Sequence, residues 1–396
     1  MKLHKVAIYF FPAIVDLILG SVLFITTVRF SESGANAVKV TAAMALWALV
    51  YSFASIVVGR MVKPRNAANM IRWSAFMLAA VSVCFAIFPG INSQYLWIAL
   101  TGIGTALFFT PFQVFMKAVE QDESAGVVRS TAYYTCAWSF GIATGPFIVG
   151  LLWGTYFPEA GWKYCYIMDA LLSLAVAFLI MPLKHYCERQ AHHEVAKPVA
   201  AGSVDYSKMP DLAWLGWLAA GVGCVSVAIL RTLFPYKSNL LDISKADQGY
   251  ILALVSYVQG GVGLALCFSR YWMYKPAPVV MFSLSGIAGL ILFGLGTSTP
   301  TFYLAAVLYG IYSGSFFFYL VFHSLVHPEH SAKYVSINEA VVGLTGILGP
   351  ILGGYLVELT SPGIPFLAVS LLVGAVVIVQ VIASRPASLG GLKRKL

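Results

Sequence analysis

The chain has 396 residues, 59% of them hydrophobic and only 10% charged, with a mean hydropathy of +0.82. Soluble domains carry about 45–50% apolar residues, so the composition excludes a soluble protein and places the chain in a bilayer. The formal net charge of +9 does not imply a nucleic-acid partner, because the basic residues lie in short loops and at the chain ends and no basic domain is present.

A helix needs about 20 apolar residues to cross a bilayer. In chain order such runs fall near residues 6–28, 38–58, 67–88, 95–116, 131–153 and 164–183, then 212–234, 248–268, 277–297, 301–326, 335–357 and 364–384. The first run follows Lys2 and Lys5, as in a signal peptide, but it has full membrane length and no clear small-residue cleavage site, so it is read as an uncleaved span. Between the sixth and seventh runs lies a polar stretch, 184–211, with Glu188, Arg189, His192-His193, Lys197 and Pro198. The reading is three segments: an N-terminal bundle over 1–183, a cytoplasmic linker over 184–211 and a C-terminal bundle over 212–396. The histidine pair reads as solvated linker, since no third metal ligand accompanies it. Cys84, Cys136, Cys165, Cys187, Cys224 and Cys267 show no CxxC spacing, so neither a disulfide framework nor a metal site is implied.

Charge tests the topology independently of hydropathy. With the N-terminus inside, 19 of the 25 Lys and Arg residues fall on the cytoplasmic side and 6 on the other: Arg29, Lys39, Lys163, Arg231, Lys237 and Lys245. This bias places both termini in the cytoplasm, and one missed span would have scrambled it. The simplest home is a bacterial cytoplasmic (inner) membrane.

Two segments are nearly the same. Gly141-Ile142-Ala143-Thr144-Gly145-Pro146, followed by Gly150, matches Gly346-Ile347-Leu348-Gly349-Pro350, followed by Gly353-Gly354, and the two Gly-Pro pairs stand 204 residues apart. That is half the chain, the spacing of a duplicated bundle. In a membrane bundle such small residues let backbones approach, and neighbouring groups satisfy the carbonyls that proline frees, so Gly145, Pro146, Gly349 and Pro350 are read as hinge and packing residues.

Two six-span halves, each with a Gly-Pro element in its fifth span, resemble the major facilitator superfamily over essentially the whole chain. The loop after the second span, Ser55 to Arg65, keeps Arg60, Lys63 and Arg65 of that family's pattern, with Ser55 and Gly59 where glycine and aspartate usually stand. Gly102-Ile103-Gly104 in the fourth span resembles the core of a motif of proton-coupled members, with Ile98 at its arginine position. The resemblance implies an all-α membrane protein of twelve transmembrane helices in two pseudo-symmetric six-helix bundles. It also implies halves that rock about a central site lined by the first, fourth, seventh and tenth spans.

Several residues are candidates for that site. Asp16 lies some ten residues into the first run, where an ionised carboxylate costs about 2.5–3.5 kcal/mol; it is read as a proton-coupling carboxylate, against a structural carboxylate bonded to neighbouring helices. Asp169 reads as structurally paired. Arg231 either holds an anionic solute group in bidentate geometry or snorkels to the outer interface, and Arg29 reads as the second kind. Tyr309, Tyr312, Phe316, Tyr319 and His323 share one face of the tenth span. Phe108, Phe112 and Phe115 share a face of the fourth, with Gln113 beside them. Either aromatic face stacks on a solute ring or packs between helices. In the resemblance Arg60 pairs with Glu339 or Glu120 as a gate, with Asp122, Arg129 and Lys117 nearby, or is a plain surface ion pair.

The sequence holds no phosphate-binding Gly-Lys-Ser/Thr loop, metal-ligand cluster or nucleophile triad, so an enzyme and a cofactor are not expected. The expected function is a secondary active transporter moving a small organic solute by alternating access, coupled to protons through Asp16, as a monomer in the lipid bilayer. Two alternatives stay open: an exporter of amphipathic drugs or lipids, which the aromatic faces favour, and a transporter-derived receptor or membrane assembly factor without flux, which the altered loop motifs favour.

Overall fold

The computed structural model describes residues 8–120, 126–184, 212–268, 272, 275–325 and 331–390. Most of the expected linker, with His192-His193 and Cys187, lies outside the described residues, as do Asp122 and the side chains of Lys117, Glu120, Arg129 and Cys267. The described chain is helical, with twelve helices long and apolar enough to cross a membrane. Six precede the linker: α1 (Phe10–Glu32), α2 (Ala37–Met61), α3 (Pro64–Ile87), α4 (Ile91–Glu120), α5 (Gly126–Leu151) and α6 (Gly161–Leu179). Six follow it: α7 (Ala213–Leu240), α8 (Lys245–Cys267), α9 (Pro276–Leu295), α10 (Thr299–Leu325), α11 (Ser331–Leu359) and α12 (Ile364–Gly390).

Helix starts follow local chemistry. The Asn36 side chain accepts from Lys39 N at 3.0 Å to begin α2, and Ser244 Oγ accepts from Asp247 N at 3.1 Å to begin α8. Pro64 and Pro276 open α3 and α9, where a missing N–H costs nothing. A five-residue π-turn, Leu152–Tyr156, closes α5.

One boundary differs from expectation in a way that moves a candidate. α1 begins at Phe10 and runs on to Glu32, past the hydropathic end at residue 28, and Arg29 near its end is engaged by the protein: its guanidinium donates to Pro89 O and lies 4.0 Å from the centre of the Trp162 ring. Asp16 therefore stands six residues into the helix, about 9 Å along it at 1.5 Å per residue, nearer the end that carries the chain termini than the sequence reading put it.

The two sets of helices repeat each other's packing. α1 lies on α5 and α7 on α11; α2 packs on α4 and α8 on α10; α3 packs on α6 and α9 on α12. The sets join through the pairs α5–α8 and α2–α11, which are again equivalent. Of the twelve, α1, α10, α4 and α7 are the most buried and α2 and α12 the least. The outward side chains are apolar, as on Phe53, Phe178, Leu371 and Ile378. In water such a surface would be a liability, whereas here it meets lipid tails.

Candidate functional site

Because α1 and α7 are the central helices of their sets and touch each other, charges on them meet at the interface. Asp16 is 6% exposed, and its Oδ2 has no hydrogen-bond partner. The cation whose field reaches it is Arg231 of α7; the two make no direct ion pair, but the structure puts both residues, which the sequence offered separately, in one region of the interface. Arg231 also lines a narrow cavity between the sets, with Gly20, Pro146, Ser256, Gln259 and Tyr309. Gly20 is one turn beyond Asp16 on the same face of α1, which sets the carboxylate just below the cavity.

The cavity has a polar wall that crosses the interface. Gln259 Nε2 of α8 donates to Ser139 Oγ of α5 at 2.9 Å, and its Oε1 accepts from Ser313 Oγ of α10 at 3.0 Å. Tyr309 shares a hydrogen bond with Ser226. An amide buried mid-span was legible as an intramembrane polar residue, but the sequence gives no sign of its partners.

Toward the face that carries the chain termini, a second polar group lies in the cleft between α4 and α11. Gln113 lies beside both Glu339 and Tyr134, and Tyr51 and Tyr134 lie in the fields of both Asp16 and Glu339. Glu339 is accessible to solvent although these side chains surround it. Its neighbour in sequence, Asn338, is buried and accepts from Trp217 Nε1 at 2.9 Å.

The expected gate is differently built. Arg60 is exposed and makes no ion pair with Glu339; the side chain of Glu120 lies outside the described residues. At the opposite face the sets are tied instead by Lys245 Nζ to Glu32 Oε1 at 2.7 Å and by Ala37 N to Glu358 Oε1 at 2.7 Å. Lys245 also lies 4.5 Å from the centre of the Trp153 ring. These contacts join helix ends that no hydropathy pattern relates, which is why sequence reading missed them.

The aromatic faces also depart from a cavity lining. Phe108 and Phe112 are fully buried in the first set, stacked with centroids 5.4 Å apart, and Phe115 packs beside them. Tyr312 and Phe316 fill grooves at Gly286 and Gly223, and Tyr319 packs 5.2 Å from Trp272. Glycine grooves accept flat rings closely, so helix packing claims Tyr312 and Phe316, as ring stacking does Phe108 and Phe112. Of the expected solute contacts, Arg231, Tyr309 and Gln113 face the interface. Asp169 is fully buried and accepts from Ser21 Oγ of α1 at 2.8 Å, which makes it a tie between α6 and α1, with Lys163 turned instead toward the Trp162 ring.

Twelve membrane-length helices in two like sets, with Asp16 buried and Arg231 at the cavity where the sets meet, define an integral multi-pass membrane protein. The chain belongs to the Major Facilitator Superfamily, whose sequence profile matches residues 8–327. No curated protein sequence is a significant match. Among solved structures the fold is similar to the nucleoside transporter NupG, with a TM-score of 0.68 at 14% identity, covering 99% of this chain and 100% of that one. It is also similar to a bacterial homologue of the human lysosomal transporter Spinster in its inward-facing, unoccupied state, with a TM-score of 0.63 at 14% identity over 98% and 97% of the two chains. At that identity the likeness establishes the fold alone; the family supports a membrane transporter.

Proposed function

We propose that the protein is a secondary active transporter of a small organic solute, driven by a proton gradient acting through Asp16. The observation that carries this reading is the carboxylate oxygen of Asp16, buried without a hydrogen bond and within the field of Arg231 on the other set of helices. An isolated charge in a bilayer costs about 2.5–3.5 kcal/mol even on the lenient scale, so ionised Asp16 and Arg231 hold α1 and α7 together. A proton on Asp16 removes that attraction and frees the guanidinium, and the sets can then change their relation. The solute occupies the cavity with Arg231, Tyr309 and Gln113 as polar contacts, and the buried rings of Phe108, Phe112, Tyr312, Phe316 and Tyr319 stiffen the wall behind it.

The halves are tied at the face opposite the termini and leave Glu339 open to solvent on the other. With both termini cytoplasmic, as the basic-residue bias argues, this is an inward-facing arrangement. Alternating access then requires the Lys245–Glu32 and Glu358–Ala37 contacts to break. Gly145 and Gly349 act at the close helix crossings in each half.

The test uses purified protein in liposomes with a pH gradient and a screen of radiolabelled metabolites that begins with nucleosides. The wild type accumulates a solute against its gradient. Asp16→Asn abolishes uphill accumulation while exchange of labelled for unlabelled solute continues. Unchanged uphill accumulation in Asp16→Asn would remove Asp16 from coupling.

A further inference from the structure

The cavity between the sets takes its apolar lining from both of them: Leu23 and Phe24 of α1 and Ile142 of α5 on one side, Leu230 of α7 with Leu252 and Val255 of α8 on the other. Its polar lining is short, consisting of Arg231, Ser256, Gln259 and Tyr309, and among the described residues Arg231 is the only charged one. What each of these offers a solute depends on what it already holds.

Gln259 is engaged at both ends of its amide, by Ser139 at 2.9 Å and by Ser313 at 3.0 Å. Ser226 Oγ donates to Gly223 O at 2.6 Å, so it accepts from the Tyr309 hydroxyl, whose hydrogen is thereby used. Arg231 and Ser256 make no hydrogen bond or ion pair among the described residues. The groups left to a solute are therefore the N–H fork of a guanidinium and one hydroxyl, and such donors call for an acceptor. A neutral polyol needs amide and hydroxyl groups that this wall has spent on itself. A carboxylate takes the fork in two parallel hydrogen bonds and brings no donor that would go unsatisfied. Its single negative charge matches one guanidinium, whereas a phosphate monoester, with about −1.5 to −2 at pH 7, leaves the excess unpaired against an apolar wall.

We propose that Arg231 binds the carboxylate of a small organic acid whose body is apolar, with Ser256 as a second donor in the same cavity. This names the solute class for the transporter reading and rests on it only for movement across the membrane; the binding site stands by itself. Within that reading, a proton on Asp16 and a carboxylate on Arg231 together restore the charge balance that ionised Asp16 provides, so acid anion and proton cross as one neutral load.

The experiment is thermal stabilisation of the purified full-length protein at about pH 7, where a carboxylic acid is ionised, by pairs matched in shape and differing in charge: acetate with acetamide, hexanoate with hexanamide, and benzoate with benzamide, each amide in matching sodium chloride. The wild type is stabilised, saturably, by a carboxylate and not by its amide mate. Arg231→Gln weakens the carboxylate about tenfold or more, the loss of one charge-assisted contact. Arg231→Lys, which keeps the charge but not the fork and guards against a folding defect, retains the preference at reduced affinity. Equal effects of carboxylate and amide on the wild type in all three pairs, or a preference that survives Arg231→Gln, would overturn the proposal. Carboxylate binding without any flux in liposomes would instead refute the transporter reading and leave the Arg231 site standing. Proton-driven flux of a neutral solute with which none of the carboxylates competes would do the reverse.

Discussion

The two Gly-Pro elements hold equivalent places and do unequal work. In α5, a Cβ at Gly145 would run into Leu17 O and Ser21 N of α1, and one at Gly141 into Ala13 O, so α5 and α1 touch backbone to backbone. In α11, a Cβ at Gly349 would meet Val225 O and the Ala228 side chain of α7 at 3.1 Å, and Thr345 stands where Gly141 does in the first copy. Thr345 is satisfied by its own helix, donating to Val341 O at 2.7 Å, so α11 stands farther from α7 than α5 does from α1. Its glycines turn the other way as well: Gly343, Gly346 and Gly354 face Ser52, Ala48 and Thr41 of α2 across the interface. Duplication thus preserved which helices meet, while α5 is backbone-tight on both sides, against α1 and against Ala246 and Gly249 of α8, and α11 is looser against α7.

Substituting both copies breaks or sharpens this comparison. Gly145→Leu is expected to have the largest effect, because backbone rather than a flexible side chain blocks the new atoms; overpacking of this kind costs about 1–3 kcal/mol or more. Transport should fall below detection while membrane insertion, read by glycosylation or protease mapping, stays intact. Gly349→Leu is expected to impair flux less and to lower the melting temperature by less than Gly145→Leu. Equal losses at the two positions would show that the tighter crossing of the first half has no consequence for the cycle, and normal flux from both would detach the repeat from it.

A smaller effect is expected where the halves are latched. Glu358→Gln weakens the carboxylate cap on Ala37 N, and Lys245→Ala removes a partly exposed ion pair, each contributing about 1 kcal/mol or less. A shift of this size changes the balance of the two access states about fivefold, read as faster labelling of a cysteine introduced at the cavity from the face opposite the termini. No change in labelling with either variant would show that the latch is incidental and that the α5–α8 and α2–α11 crossings alone hold that face closed.

Much of the fold was legible in the chain because lipid imposes a simple rule: backbone polar groups must be satisfied within each span, so long apolar runs become helices. The Gly-Pro repeat then marked two equivalent halves. The site was legible only in part, and Asp16 and Arg231 illustrate why. Each announced itself as a charge in an apolar run, but their partnership spans 215 residues of sequence and arises only when α1 and α7 cross. Glu339 was read as a partner for Arg60 because both lie near the same membrane face, and the folded chain leaves the two unpaired.

The sequence alone therefore determined the solvent, the number of spans, the duplication and the short list of charges that a bilayer would not tolerate without a purpose. Tertiary structure alone decided which of those charges come near one another, that Tyr312 and Phe316 of α10 fill glycine grooves instead of the cavity, and that the contacts tying the two sets by helix ends lie at the face opposite the chain termini. The physical reason is range: burial in lipid acts on each residue by its own chemistry, whereas pairing, packing and access depend on helices far apart in sequence arriving within a few ångströms of one another.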